Sequence, residues 1–256
     1  MKIGALLSVR NKSTRFPGKV LKELYGQTVT EHLVDRMKMT KHIDNLIIST
    51  SVDERDAVFE SIARKKNINI FRGSKEDKLK RYLDTAERFS LDGVVIIDGD
   101  NILCFPEIMD NIAVELRDDR YEAVFWKKLP LGAASHGLTR RALEKVMEIK
   151  AEEDTEVWGG YFTNSGVFKV GYFEPEDDLL RHPDIRLTMD YQEDLNFLKA
   201  VFDELYINNP LFSSHDLLSL LVNRKPDIPL INKKMQEKYE EHIAKATPIK
   251  FKSKLL

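Results

Sequence analysis

The sequence predicts a three-layer α/β sandwich with a mostly parallel central sheet and a helical C-terminal tail. Three observations predict it. Short, continuously apolar runs stand at residues 3–7, 46–48, 68–71 and 94–97. Amphipathic stretches alternate with them at 28–40, 53–66 and 77–89, and strands apolar on both faces, separated by helices, build a parallel sheet covered on both sides. Each run also stops in a polar cluster: Arg10 and its loop, Ser49-Thr50-Ser51, Arg72-Gly73-Ser74 and Asp98-Gly99-Asp100. Ligands of such sheets sit at the carboxyl ends of the strands, so that edge is the expected site.

The elements follow in order. The stretch 28–40 places Val29, Leu33, Val34 and Met37 on one helical face. In 53–66 Asp53 is the expected cap, with Val58, Ile62 and Ala63 facing inward. The stretch 77–89 aligns Leu79, Tyr82, Leu83 and Ala86. Beyond Asp100 the pattern is mixed, with helices at 106–116, 139–150 and 192–206 and strands at 123–126, 167–173 and 186–189. Short helices at 217–222 and 234–244 come last, then a basic tail of Lys250, Lys252 and Lys254 around Phe251, read as solvated. No Gly- or Ser-rich linker and no repeat interrupts the chain. Residues 1–207 therefore read as the α/β domain and 208–256 as a helical extension packed on it.

Forty Lys and Arg against 42 Asp and Glu give a net charge of −2 over 256 residues. A nucleic-acid or membrane-surface binder carries a basic excess, so neither partner is expected and any anion site is local. One cysteine, Cys104, excludes an intrachain disulfide and a thiolate-rich metal site, and reads as a small buried hydrophobe. No stretch reaches the ~18 apolar residues of a membrane span, and no secretory signal opens the chain. A soluble cytoplasmic protein is the expectation.

Residues 8–21 carry the clearest chemistry. Directly after the first strand come Ser8, four cations (Arg10, Lys12, Arg15 and Lys19), the hydroxyls of Ser13 and Thr14, and a Pro17-Gly18 pair. Cations, hydroxyl donors and a glycine that admits close backbone approach suit a polyanion such as a nucleoside triphosphate. A Walker A loop is excluded, since Ser13 stands where its first Gly belongs and Val20 where its hydroxyl belongs. The Rossmann glycine triplet is also absent.

Asp100 follows a buried strand and a glycine, and Asp190 ends the stretch 186–189. Two strand-end carboxylates on one edge clamp a hard divalent cation against phosphate oxygens, while each taken alone also reads as an ordinary turn or capping residue. Both are expected to face solvent and metal rather than core, so that replacing either leaves the fold intact.

The loop resembles the opening signature of the cytidylyltransferases that make CMP-activated sugar acids, and of the related spore-coat polysaccharide family. Arg10, Ser13-Thr14-Arg15, Pro17-Gly18-Lys19 and Leu21 match position by position. The likeness continues in family order through residues 44–51, Phe71-Arg72-Gly73-Ser74 with Asp77, Leu79, Arg81 and Tyr82, Gly99-Asp100, and Arg186-Leu187-Thr188-Met189-Asp190 with Glu193-Asp194-Leu195.

The resemblance implies a nucleotidyltransferase fold like that of GT-A glycosyltransferases, CTP and a small-molecule acceptor as substrates, Mg²⁺ as cofactor and a homodimer. It assigns Arg10, Lys19, Asp100 and Asp190 to catalysis, with Asp100 and Asp190 on the metal. It places Arg10, Lys19, Arg72 and Ser74 on the nucleotide; Ser8, Ser13, Arg15, Thr50 and Asp98 join them as candidates from their positions at the same sheet edge, and His136, Tyr161 and Asn164 are the candidates for the acceptor. The sequence departs from the family at Asp98, at Asn101-Ile102-Leu103 where a Pro-Leu pair is common, and at Asn164 where sugar-acid enzymes often place a His. A phosphonate or polyol phosphate acceptor, a glycosyltransferase using Asp98-Gly99-Asp100, and a non-catalytic nucleotide-binding relative stay open at this point.

Overall fold

In the computed structural model, which describes residues 1–244 and 249–252, seven strands form one sheet. The strands are β1 (Ile3–Ser8), β4 (Asn45–Ser51), β5 (Asn69–Gly73), β6 (Gly93–Asp98), β7 (Ala123–Trp126), β8 (His136–Thr139) and β9 (Val170–Phe173), in the order β5-β4-β1-β6-β8-β7-β9. A small hairpin, β2 (Glu23–Leu24) and β3 (Gln27–Thr28), stands apart. The first four sheet strands run parallel, β8 runs antiparallel to both neighbours, and β9 pairs parallel with β7.

Ile3, Ala5, Leu6 and Leu7 of β1 are all fully buried, which its central position requires. Alternate residues serve opposite layers: Ala5, Leu7, Ile48, Val95 and Ile97 join one core, and Leu6, Ile47, Val94 and Ile96 the other. The first core is closed by α1 (Val29–Met37), α2 (Val58–Lys66), α4 (Pro106–Arg117) and α7 (Gln192–Leu205). The second is closed by α3 (Lys78–Arg88), α5 (Arg140–Ile149) and α6 (Gly159–Thr163). Beyond α7, Phe212 and the residues of α8 (Ser214–Leu218) add to the first core, and the chain ends its long helices with α9 (Met235–Ala244). No helix among the described residues is long and apolar enough to cross a membrane. Cys104 is buried, and burial pushes its thiol up to about 11. The described part of the basic tail is not simply solvated, since Phe251 bridges Lys150 and packs on Tyr161; Lys254 lies outside the described residues.

Four expectations need correction. Val58 is exposed and Phe59 takes its inward place, since Phe59 stands three and four residues before the buried Ile62 and Ala63 while Val58 falls at the first position of α2; Asp53 caps the 3₁₀ turn at Glu54–Asp56 that precedes the helix. The stretch 186–189 makes only a single bridge, Leu131 to Arg186. The strand expected from residue 167 begins at Val170. The antiparallel β8 was not expected: Gly137 interrupts its pattern, yet a Cβ there would meet Ile112 Cγ2 at 2.3 Å, so α4 can pack on the sheet only over a glycine.

The start of α1 gives a direct test of local capping. The Glu31 carboxylate accepts from Thr28 N at 2.7 Å and Thr28 Oγ1 at 2.8 Å, and Thr28 Oγ1 accepts from Glu31 N at 3.2 Å. Burial alone would raise the Glu31 pKa, but Lys65 and the Thr28 donors bring it down to about 2. A carboxylate held below its unfolded value contributes stability above about pH 4 that is lost as pH falls toward the folded value. Glu31→Gln should therefore lose about 1 kcal/mol at pH 7 and little near pH 2. Urea unfolding of both proteins across that range checks it, and a loss that does not change with pH sinks the electrostatic account.

Candidate active site

The register levels the carboxyl ends of the parallel strands. Ser8 pairs with Ser49 on one side and Asp98 on the other, and Thr50 pairs with Arg72. Over this edge two chambers meet. One, of about 330 Å³, is bounded by Ser8, Arg10, Lys12, Ser13, Arg15 and Lys19 of the loop, and by Lys78 and Arg81 of α3. The other, of about 670 Å³, is walled by Phe125, Trp126, His136, Trp158 and residues 128–132. Arg15, Lys78, Asp98, Asp100, Asp154 and Glu156 border both.

The backbone brings Asp100 and Asp190 together although 90 residues separate them. Leu187 N and Thr188 N donate to Leu131 O, and Met189 N donates to Asp100 O at 2.9 Å. Gly132, with φ +95°, makes this possible, since a Cβ would lie 2.5 Å from Thr188 N. Lys19 Nζ then spans the two carboxylates, 2.7 Å from Asp100 Oδ2 and 2.8 Å from Asp190 Oδ1.

Asp190 does not face solvent, contrary to expectation. It is 1% exposed and receives Arg15 and Lys19 on one oxygen and Arg186 Nη2, at 3.1 Å, on the other. Arg186 also binds Asp194 through two nitrogens, at 2.9 and 3.0 Å, and Asp194 accepts from the Asp190 and Tyr191 amides. Burial by itself would raise the Asp190 carboxyl, but Lys19 and Arg15 hold it well below the carboxylate range. Asp100 goes the other way: burial, with Asp190 and Asp98 nearby, raises its carboxyl despite Lys19.

Lys78 was not singled out in the sequence. Burial opposes its charge, but Asp98 at 3.4 Å and Glu156 at 3.0 Å raise its pKa. A signal existed, for Lys78 and Lys80 occupy the first turn of α3, where the helix dipole disfavours cations. Glu156 also holds Arg10 at 2.5 Å, and although burial would raise its carboxyl, Lys78 and Arg10 bring it down to about 2. Tyr239 of α9 borders the larger chamber, its phenol pKa raised by burial and by Asp100, Asp190 and Asp98.

The other expected site residues divide. Ser8 Oγ accepts from Tyr82 OH at 2.7 Å beside the smaller chamber, and Ser13 Oγ accepts from Phe16 N at 3.2 Å, shaping the loop. Thr50 is fully buried and donates to Val9 O at 2.7 Å, bracing the loop from below rather than reaching a ligand. Arg72 binds Ser51 O, Asp53 O and Glu60, and Ser74 Oγ accepts from Asp77 N; neither borders a chamber. His136 lies in the larger chamber, its ring 5.2 Å from Phe125 and 5.7 Å from Trp158, and burial lowers its pKa against the pull of Asp98. Tyr161 is buried against Phe251 and Asn164 is exposed, both off the chamber wall, because α6 turns them away after Trp158 and Gly159.

Among the described residues no group of three or more His, Cys, Asp or Glu is arranged to hold a metal. The donors present still fit a hard dication: Asp98, Asp100 and Asp190 border one chamber, and Mg²⁺ commonly takes one or two carboxylates with the rest from substrate.

A mostly parallel sheet with a cation-lined chamber at its carboxyl edge has the charge and shape that suit phosphorylated ligands. The chain belongs to the Cytidylyltransferase family, which matches residues 5–223. It is 32% identical over 243 residues to an uncharacterised protein of Methanocaldococcus jannaschii, covering 93% of this chain and 97% of that one. It is 31% identical over 229 residues to the spore coat polysaccharide biosynthesis protein SpsF of Bacillus subtilis, covering 87% and 94%. The solved structure of a cytidylyltransferase from Leptospira borgpetersenii superimposes with a TM-score of 0.79 at 29% identity, over 89% of this chain and 96% of that one.

Proposed function

We propose that this chain transfers CMP from CTP to a hydroxyl of a sugar acid or related small acceptor, releasing pyrophosphate, in surface polysaccharide biosynthesis. A cytoplasmic, Mg²⁺-dependent homodimer is part of the same reading. The observation that carries it is the junction of the two chambers: a cationic one suited to a triphosphate and an aromatic-walled one suited to a sugar meet at Asp98 and Asp100. Family membership and the likeness to SpsF support the reaction class and the pathway.

In this reading Arg10, Lys12, Arg15 and Lys19 bind the triphosphate. Lys19 and Arg15, which Asp190 holds in the protein alone, turn to the phosphates and absorb the charge that grows on the leaving pyrophosphate. The rings of Phe125, Trp126 and Trp158 with His136 offer apolar faces to the acceptor and orient its hydroxyl toward the α-phosphate. The oxygen–phosphorus bond to the acceptor forms as the bond to pyrophosphate breaks, and the acceptor's hydroxyl proton is released to solvent water. Asp100 and Asp190 would hold Mg²⁺, which neutralises phosphate charge and lowers the pKa of a bound hydroxyl.

The test is pyrophosphate release with Mg²⁺, offering CTP, UTP, ATP and GTP against sugar acids, neutral sugars, sugar phosphates and phosphonates. Release with CTP and one acceptor is expected. Formation of a nucleoside diphosphate would make the chain a glycosyltransferase instead, and CTP left intact across the whole panel would sink the reading.

A further inference from the structure

The family match stops at residue 223, yet the chain beyond it returns to the reaction centre. Asn232 anchors the return. It is 1% exposed and its side-chain amide donates to Arg186 O at 3.2 Å and to Asp194 Oδ1 at 2.9 Å, two members of the cluster that holds Asp190. Met235, three residues on, is buried, and Tyr239 follows four residues later. That spacing puts Asn232, Met235 and Tyr239 on one stripe facing the body, while Glu237, Lys238, Glu240 and Glu241 are exposed.

Tyr239 is thereby laid on the ionic cluster. Its ring lies 5.3 Å from the Arg186 guanidinium, which has the Tyr191 ring at 5.8 Å, so the apolar body of the side chain is spent on covering a buried cation. The hydroxyl is not spent: it has no hydrogen-bond partner among the described residues, and the residue borders the chamber that Asp98, Asp100, Asp190 and His136 also line. An amphipathic side chain with a fixed ring and an uncommitted polar tip suits ligand recognition.

We propose that Tyr239, delivered by this C-terminal helix, is an acceptor-contacting residue whose hydroxyl bonds a polar group of the acceptor beside Asp100. The assignment rests on the cytidylyl-transfer reading. It makes the segment after residue 223 part of the acceptor site, so relatives that differ there would differ in acceptor preference while sharing CTP.

Tyr239→Phe keeps the ring on Arg186 and removes only the hydroxyl. Its acceptor KM should rise about tenfold, the equivalent of one hydrogen bond, with the CTP KM unchanged. An unchanged acceptor KM, or an equal rise for CTP, overturns the assignment. A second measurement does not need turnover. With the eight tyrosines replaced by 3-fluorotyrosine, the ¹⁹F resonance missing from Tyr239→Phe belongs to residue 239. That resonance should shift by more than its linewidth in Asp100→Asn, and again when the acceptor class of the panel that binds is added to wild type. No shift in Asp100→Asn, or none with any compound of the panel, overturns the proposal. Absence of pyrophosphate release with a shift in Asp100→Asn and with one compound instead counts against the transfer reaction and leaves Tyr239 in the binding site.

Discussion

Asp190→Asn should both abolish turnover and destabilise the fold, by about 3 kcal/mol, the low end of what removing one partner from a buried ion pair costs. Arg15, Lys19 and Arg186 meet Asp100, Asp190 and Asp194 as three cations and three carboxylates. Asparagine keeps the shape and removes one negative charge, which leaves the cluster with a surplus cation away from water. Two features limit the loss: Lys19 keeps Asp100 and Arg186 keeps Asp194, and the Arg15 side chain is 25% exposed, so solvent screens part of its charge. Turnover fails for a different reason, because a neutral amide neither holds a dication as carboxylate does nor keeps Lys19 and Arg15 poised over the loop. The urea midpoint at pH 7 checks the first part and pyrophosphate release the second. A variant unfolding at the wild-type urea concentration would show that the cluster is solvated rather than buried.

This double role could not be read from the chain. The loop of residues 8–21 and the polar ends of the first four strands were legible, because the parallel strands are continuously apolar and the elements alternate at helical and strand periods. Asp190 was legible as a candidate carboxylate, although the stretch before it is not a strand, but not as a buried one, since its partners come from Lys19 and Arg15, 171 and 175 residues away in sequence. Arg72 stood in a matching motif, yet Glu60 and the backbone carbonyls of Ser51, which ends β4, and Asp53, just beyond it, take its guanidinium. Tyr161 and Asn164 lie off the chamber wall for a geometric reason: a helix of one turn decides which side of a short loop meets the cleft, and no period in five residues reveals where it starts. Tyr239 lay in a segment whose helical pattern was visible, but only the Asn232 anchor shows that the helix folds back over Arg186.

Asp100→Asn should separate the two properties that Asp190→Asn loses together. The Asp100 carboxyl is raised by burial and by its acidic neighbours, so Asp100 holds its proton more tightly folded than unfolded and its ionised form is disfavoured in the fold. An acid raised in this way detracts from stability at neutral pH, and the penalty fades as pH falls through the raised value. Neutral asparagine removes the penalty, and Lys19 retains Asp190 at 2.8 Å. The variant should therefore unfold at an equal or higher urea concentration than wild type. Turnover should nevertheless fall about a thousandfold or more, the equivalent of several kcal/mol of lost charge stabilisation in the transition state. Mg²⁺ itself supplies a further readout, because a ligand that binds only the folded state raises stability by mass action. Added MgCl₂ should raise the urea midpoint of wild type and leave that of Asp100→Asn where it was. Equal Mg²⁺ stabilisation of both proteins would remove Asp100 as a ligand, and a destabilised variant would mean that its bond to Lys19 outweighs the repulsion from Asp98 and Asp190.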